Sequence, residues 1–400
     1  MNASERPPGR TAGRQRVGSA LSSLPQHWRW GIGAFLVYRL LLSLWAALLW
    51  LLNLVPHSPQ SPYYFGLVPL DGGLPGALIG VWQRWDAIHY ARIAAHGYEA
   101  ADLSAFHPLF PLLGGALGRA FGIEPTVALM LVANLSLGLG LVFLFRLVEL
   151  EFGDSVSRGA ILSLLAFPGA FFLAAPYAES LTLLLVVLSI CWARESRWGA
   201  AWLAGIGAGL AHITSLPLTA MLLVEAARQG SGRFSLKRLA RYGGAAGPLM
   251  GTGLFLAWRA AQGFGDWAAT HRQLWGVVIR WPWEQIAELG EVFRSPYFAL
   301  NGWANLLTMV LALAACLWWL RHRRGGWAAY LGVMVIMLLS IDVPTEPLAS
   351  WIRHVVVLPP LFVTAGHVLA GGRWRLLALL AGAAAQLYFS ALFVRWIWVA

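Results

Sequence analysis

Between residues 82 and 111 the chain gathers Arg84, Asp86, His89, Arg92, His96, Glu99, Asp102 and His107, with long apolar segments on either side. If Trp82–Tyr98 is helical, Asp86, His89 and Ile93 share one face by i, i+3, i+7 spacing, and Arg84 points the other way. An aspartate beside a histidine at a membrane–water boundary is suited to serve as a general base. The same charges on a solvated surface helix would do no chemistry, and spacing alone leaves both readings open. Trp82 and Trp85 suit a helix lying in the interface. In Ala105-Phe106-His107-Pro108-Leu109-Phe110-Pro111 the prolines block a regular helix start and pin the chain near the membrane surface. His107 there is a ligand, a proton donor or a hydrogen-bonded interfacial side chain.

Two distant positions join this candidate set. Glu179 falls in the first turn of an apolar helix after Pro176, where the helix dipole favours a carboxylate in any case. It also fits a second carboxylate at the same membrane edge as Asp86. Arg353 and His354 stand at the outer start of a helix expected over Ile352–Ala370. An arginine there opposes both the helix dipole and the positive-inside trend. A lipid phosphate would offset it through the guanidinium fork; the alternative is a side chain that snorkels to headgroups.

The elements that must position these residues are membrane helices. Of the 400 residues, 58% are hydrophobic and 12% charged, and the mean hydropathy is +0.63. Soluble domains average about 25% charged residues, so the solvent implied is lipid. Apolar runs of the roughly 20 residues needed to cross about 30 Å of hydrocarbon recur along the chain, and the 22 tryptophans fit interfacial anchoring. The net charge of +11 comes from short arginine clusters between apolar runs, with Lys237 the sole lysine. That pattern orients membrane segments and gives no reason to expect nucleic acid as a partner. Cys191 and Cys316 lie inside apolar runs, which gives no CxxC and no disulfide framework. Phosphate-loop, G-x-S-x-G, H-E-x-x-H and DxD-type signatures are absent, so a dinucleotide, ATP or zinc-protease reading lacks support.

Applying the positive-inside rule in order predicts an all-α polytopic membrane protein. Residues 1–30 form a disordered, basic cytoplasmic tail, and residues 31–400 a single membrane domain with outer loops over 55–126 and 263–297. Full crossings are expected over Gly31–Leu54, Val127–Leu147, Ile161–Ala175, Tyr177–Trp192, Gly243–Gln262, Phe298–Leu320, Trp327–Ile341, Ile352–Ala370 and Leu376–Trp398. Gly199–Val224 breaks the alternation, because basic residues flank it on both sides. Its centre, His212-Ile-Thr-Ser-Leu-Pro217, is polar and helix-breaking, so it is expected to be a re-entrant pair of half-helices. The total is about nine crossings plus that pair. Asp86, His107, Glu179 and Arg353 then all fall on the outer face.

The ordered motifs resemble a known family. Arg84-Trp85-Asp86-Ala87-Ile88-His89-Tyr90, Ile93-Ala94, His96-Gly97-Tyr98 and Phe106-His107-Pro108-Leu109-Phe110-Pro111 are similar to the "RWD…IA..GY…FFPLFP" signature of the PIG-V-like mannosyltransferases. That family comprises GPI mannosyltransferase 2 and bacterial relatives within the GT-C membrane glycosyltransferases. Phe167-Pro168…Tyr177-Ala178-Glu179-Ser180 resembles its "FPSAFFL…YTES", Phe264-Gly265-Asp266…Pro282-Trp283 its outer loop, and Arg353-His354…Pro359-Pro360-Leu361 its "RY…PL". The sequence departs from the family in having His107 within "FFP", and His212-Ile-Thr-Ser-Leu-Pro217 where relatives carry a "TRPTG"-like turn.

The resemblance implies a GT-C fold and an inverting transfer of a sugar, mannose first, from a polyprenyl- or dolichyl-phosphate donor. The acceptor would be a lipid, glycan or protein hydroxyl on the outer face of the membrane, the plasma membrane in a bacterium. It implies Asp86 as the base, Glu179 and His107 (with His89 and His354 nearby) lining the site, and Arg353 or, second to it, Arg84 on the donor phosphate. No cofactor or metal is implied. The two other readings are a transporter or flippase of a lipid-linked or anionic solute, and a non-catalytic subunit that supports another transferase.

Overall fold

The computed structural model describes residues 24–56, 64–230, 235–292, 300–344, 346 and 348–399. In chain order its helices are α1 (Gln26–Leu51), α2 (Gly73–Leu78), α3 (Asp86–His96), α4 (Leu109–Phe121), α5 (Pro125–Phe152), α6 (Asp154–Leu165), α7 (Glu179–Arg194), α8 (Trp198–Ala211) and α9 (Leu218–Arg228). They continue with α10 (Leu236–Ala245), α11 (Gly247–Ala261), α12 (Trp267–Trp275), α13 (Pro282–Val292), α14 (Leu300–Arg321), α15 (Gly325–Ser340), α16 (Trp351–His354), α17 (Pro359–Leu369) and α18 (Arg375–Val394). Four of them, α1, α5, α14 and α18, are long and apolar enough to cross a membrane, and a fifth span arises if α16 and α17 are counted as one bent pair. The chain is thus an integral membrane protein. The helices at the other expected crossings are shorter: α7 and α15, for example, have 16 residues each. The tail over residues 1–23 lies outside the described residues, and α1 starts at Gln26, earlier than the apolar run at Gly31.

Helix ends follow local chemistry. Glu124 caps α5 by accepting from the Val127 amide at 2.9 Å, with Pro125 at the first helical position. Asp266 caps α12 at the amides of Ala268 and Ala269, and α12 stops at Gly276, whose φ of 69° is left-handed. The expected crossing Ile161–Ala175 instead starts at Asp154 and ends at Leu165, short of Pro168; a 3-10 turn over Ala170–Leu173 follows.

The break at His212–Pro217 occurs where the sequence predicts it, and α8 and α9 form a hairpin. Gln229, just past α9, accepts from Trp198 Nε1 at 2.9 Å and Ser196 Oγ at 3.1 Å, and donates to the Ala193 carbonyl at 2.8 Å. Both limbs therefore return to one end. Glycines allow α8 to lie directly on α11: a Cβ on Gly209 would sit 2.3 Å from the Pro248 carbonyl oxygen, and one on Gly251 2.2 Å from that of Ile206.

The expected single helix Ile352–Ala370 does not form. Its two parts meet at 86° around Leu358 (φ −103°, ψ 90°). Pro359 keeps the preceding residue out of helical geometry, and Pro359 and Pro360 have no N–H to offer the turn before them. One small antiparallel ladder, β1 (Val278–Ile279) on β2 (Ile341–Asp342), ties the segment after α12 to the segment before α16.

The two ends of the bundle differ in chemistry. Arg146, Arg194, Arg228 and Arg324 collect with Glu151, Glu195 and Glu225 around a cavity of about 320 Å³. Glu151 joins two of these arginines, pairing with Arg194 and, at 3.1 Å, with Arg324. The candidate site lies at the opposite end of α7, whose 16 residues span about 24 Å at 1.5 Å per residue.

Candidate functional site

Asp86 is the first residue of α3, and its position is set by the turn before it. Trp85 takes φ 54° and ψ −126°, a backbone conformation that L side chains rarely adopt. The helix therefore cannot extend back to Trp82, and the expected interfacial helix Trp82–Tyr98 starts at Asp86. Trp82 is 1% exposed, packed near Phe171 and Phe393, so it is a core residue and not an interfacial anchor. Trp85 meets Trp396 and Trp398 edge-on at 5.7 and 5.2 Å between ring centroids.

Arg84 holds this turn. Its guanidinium donates to the carbonyls of Gly80 (2.9 Å), Gln83 (3.1 Å) and Val394 (3.2 Å) and lies over the Trp396 ring. It is 2% exposed and is not among the residues lining the cavity. Its carbonyl in turn accepts from Tyr177 Oη at 3.1 Å. Arg84 thus staples the end of α18 to the residue before Asp86.

The central feature is a buried charge triad. Arg353, from α16, donates from Nη1 to Asp86 Oδ2 at 2.5 Å and from Nε to Glu179 Oε1. Its guanidinium carbon sits 4.6 Å from the Tyr177 ring centroid and 5.5 Å from that of Phe172, a cation–π seat beneath the ion pairs. Arg353, Asp86 and Glu179 are 5%, 8% and 2% exposed. Two carboxylates thus share one guanidinium, and Glu179 Oε2 is buried with no partner among the described residues. The Phe167–Gly169 turn supports the arrangement from behind: a Cβ on Gly169 would lie 2.0 Å from the Ile352 carbonyl oxygen.

Asp86 and Arg353 face a cavity of about 550 Å³, whereas Glu179 sits behind Arg353 and does not line it. The walls include Trp85, Phe106, Trp267, Trp275 and Trp398. His89, His107, His212, His271 and His354 also line it. His89 is stacked on Phe106 at 5.1 Å, and no hydrogen bond joins it to Asp86 among the described residues. Burial lowers its pKa, against the pull of the nearby Asp86 charge. His107 donates from Nδ1 to the Gly209 carbonyl at 2.7 Å, which leaves Nε2 as an acceptor. Burial brings its pKa down to about 4, and that of His271 likewise to about 4.

The stretch 263–297, expected as an outer loop, contains α12. That segment instead contributes Trp267, His271, Arg272 and Trp275 to the cavity, at the i, i+4, i+5, i+8 positions of one helical face. The signal was present in that spacing and in the Asp266 cap. Arg272 is exposed and makes no side-chain hydrogen bond or ion pair among the described residues, so it is a free cation at the cavity. Among the described residues no three His, Cys, Asp or Glu side chains are grouped closely enough to hold a metal ion.

The fold and site together define a helical membrane protein with an aromatic-walled cavity, floored by a carboxylate that is ion-paired from a distant helix. No family model matches the chain and no curated protein matches it, so the PIG-V-like resemblance rests on its motif residues. Among solved structures it is similar to an oligosaccharyltransferase from Archaeoglobus fulgidus. The apo form matches with TM-score 0.44 and 13% identity, over 92% of this chain and 56% of that one. The form tethered by a disulfide to an acceptor peptide containing the NVT sequon matches with TM-score 0.43 and 14% identity, over 92% and 55%. The complex with zinc and sulfate gives TM-score 0.43 and 13% identity, over 91% and 53%. The chain spans about half the length of these structures.

Proposed function

We propose that the chain is a membrane glycosyltransferase. It moves a sugar, mannose on the motif resemblance, from a polyprenyl-phosphate donor to an acceptor hydroxyl on the non-cytoplasmic face. The observation that carries this reading is the carboxylate of Asp86, ion-paired by Arg353 at 2.5 Å, beside aromatic walls that suit a sugar ring. In the reaction the acceptor hydroxyl gives its proton to Asp86 while its oxygen bonds to the anomeric carbon. The bond from that carbon to the donor phosphate breaks on the opposite face, and the phosphate leaves with the electron pair. Inversion follows from that in-line geometry. Arg353 is already shared by two carboxylates, which suits it to orienting Asp86. The free guanidinium of Arg272 is better suited to the leaving phosphate. Neither step calls for a metal or a nucleotide.

The test uses full-length protein in lipid nanodiscs with radiolabelled polyprenyl-phosphate sugars and a panel of lipid and peptide acceptors. A positioned base contributes about 10²–10⁴-fold, so Asp86→Asn should slow transfer by at least about a hundredfold with the fold retained. Transfer at the wild-type rate by Asp86→Asn removes the assignment. A second reading, a transporter of a lipid-linked or anionic solute, draws on the two broken elements that reach the cavity, the α8–α9 hairpin through His212 and the bent α16–α17 pair through Arg353 and His354. It predicts movement of labelled lipid across the bilayer without bond cleavage in the same nanodisc-purified protein once returned to vesicles.

A further inference from the structure

Three of the cavity's imidazoles come from three separate segments. His107 precedes α4, His212 stands at the tip of the α8–α9 hairpin, and His354 ends α16. Their rings are consecutive neighbours, with centroids 6.4 Å apart for His107–His212 and 5.7 Å for His212–His354. Gly209, which packs directly on α11, presents the carbonyl that fixes His107.

The hydrogen bonds assign different roles to the ring nitrogens. His107 uses its Nδ1 proton on Gly209, so Nε2 accepts; that atom is buried without a partner among the described residues, in a residue 4% exposed. His212 Nδ1 accepts from the Thr214 amide at 3.3 Å and meets its hydroxyl at 2.8 Å, so the proton of this ring sits on Nε2. His354 Nδ1 is likewise buried with no partner among the described residues. Buried polar atoms in native proteins are almost always satisfied, so these call for a partner. A neutral imidazole wall with mixed donors and acceptors matches hydroxyl groups, each of which donates once and accepts. An imidazolium wall would offer donors only.

We propose that His107, His212 and His354 form a subsite for the uncharged ring hydroxyls of a hexose, one that rejects uronic acids. The proposal rests on the glycosyl-transfer reading for its ligand class. A sugar carboxylate at this wall would meet Asp86 and the acceptor nitrogen of His107. Of the two arginines that line the cavity, Arg353 is already divided between Asp86 and Glu179, and Arg272 is the one given to the donor phosphate. Burial, which keeps His107 unprotonated at neutral pH, preserves the wall's neutrality.

The experiment measures binding of octyl mannoside, octyl glucoside and octyl glucuronide to full-length protein in nanodiscs at pH 7.5, by saturation-transfer NMR and calorimetry. Wild type should bind the hexosides at least about tenfold more tightly than the glucuronide, the scale of one or two hydrogen bonds. His354→Phe, which keeps a ring and loses the nitrogens, should erase that preference. His354→Asn, whose amide reaches the Nδ1 position, should retain it. His107→Gln, which reaches the Nε2 position, and His107→Phe give the second pair. Thermal unfolding identifies any variant that has lost its fold, and the other pair then decides. Equal binding of the glucuronide by wild type, or an unchanged preference in the folded Phe variants, overturns the subsite. The two readings fail separately. Histidine-dependent hexoside preference without transfer to any acceptor retains the subsite and removes the enzyme, and transfer indifferent to the histidines does the reverse.

Discussion

Replacing Arg353 by methionine keeps most of the side-chain volume and removes the charge that Asp86 and Glu179 share. In the native protein the guanidinium is 2.5 Å from Asp86 Oδ2 and also bonds Glu179 Oε1, with all three residues at least nine-tenths buried. Removing one partner of a buried ion pair costs about 3–5 kcal/mol, because the charge left behind is uncompensated. Here two carboxylates are left, so Arg353→Met should sit at the upper end of that range. Glu179→Gln alone leaves one carboxylate on one guanidinium and should cost at least about 2 kcal/mol less than Arg353→Met, since no bare charge remains. Adding Glu179→Gln to Arg353→Met should therefore recover part of the loss, a coupling of about 0.5–3 kcal/mol. Lower pH should recover part of it too, since an orphaned buried carboxyl takes up a proton. Reversible denaturant unfolding in mixed micelles at pH 7.5 and pH 5, across the double-mutant cycle, reads all these terms. If Arg353→Met lies within about 1 kcal/mol of wild type, the scale of an exposed pair, the triad is not the buried, mutually dependent unit described.

His107 has a folded-state pKa of about 4 against 6.5 in the unfolded chain, so between those values the unfolded chain binds more protons. Stability is therefore complete above about pH 6.5 and declines as pH falls toward 4, by on the order of 3 kcal/mol for this residue. A pH series of unfolding midpoints should show a shallower acid slope in His107→Gln, and an identical slope would refute the burial argument. Gly169→Ala puts a methyl 2.0 Å from the Ile352 carbonyl oxygen. It should cost about 1–3 kcal/mol and lower transfer with no cavity residue changed; an unaltered melting midpoint would contradict this. Arg272→Ala should raise the KM for the phosphate-linked donor about tenfold or more, the scale of a charged hydrogen bond, and leave the melting midpoint in place. An unchanged KM would return the phosphate to Arg353.

Whatever depends on local chemistry is legible in the order of the residues. Hydrophobic content specified helices in lipid. Arginine clusters marked the end of the bundle where Arg146, Arg194, Arg228 and Arg324 now meet, and His212–Pro217 declared the hairpin tip through its polar, proline-bearing centre. Asp86 stood out as the acid of a polar island. The bend at Leu358 was also legible in Pro359–Pro360, and so was the cavity face of α12 in its spacing; an expectation of one long helix and one exposed loop obscured both. Which charges are partners follows from the packing of the closed bundle. Arg353 reaches Asp86 across 267 positions and Glu179 across 174, and no periodicity encodes a contact at that separation. The same limit explains Arg84, whose three carbonyl partners include one 310 positions away, and Trp85, whose left-handed turn starts α3 at Asp86. The opening aspartate was visible in the sequence, but its ion pair, its aromatic walls and its histidine neighbours exist only once the bundle has closed around them.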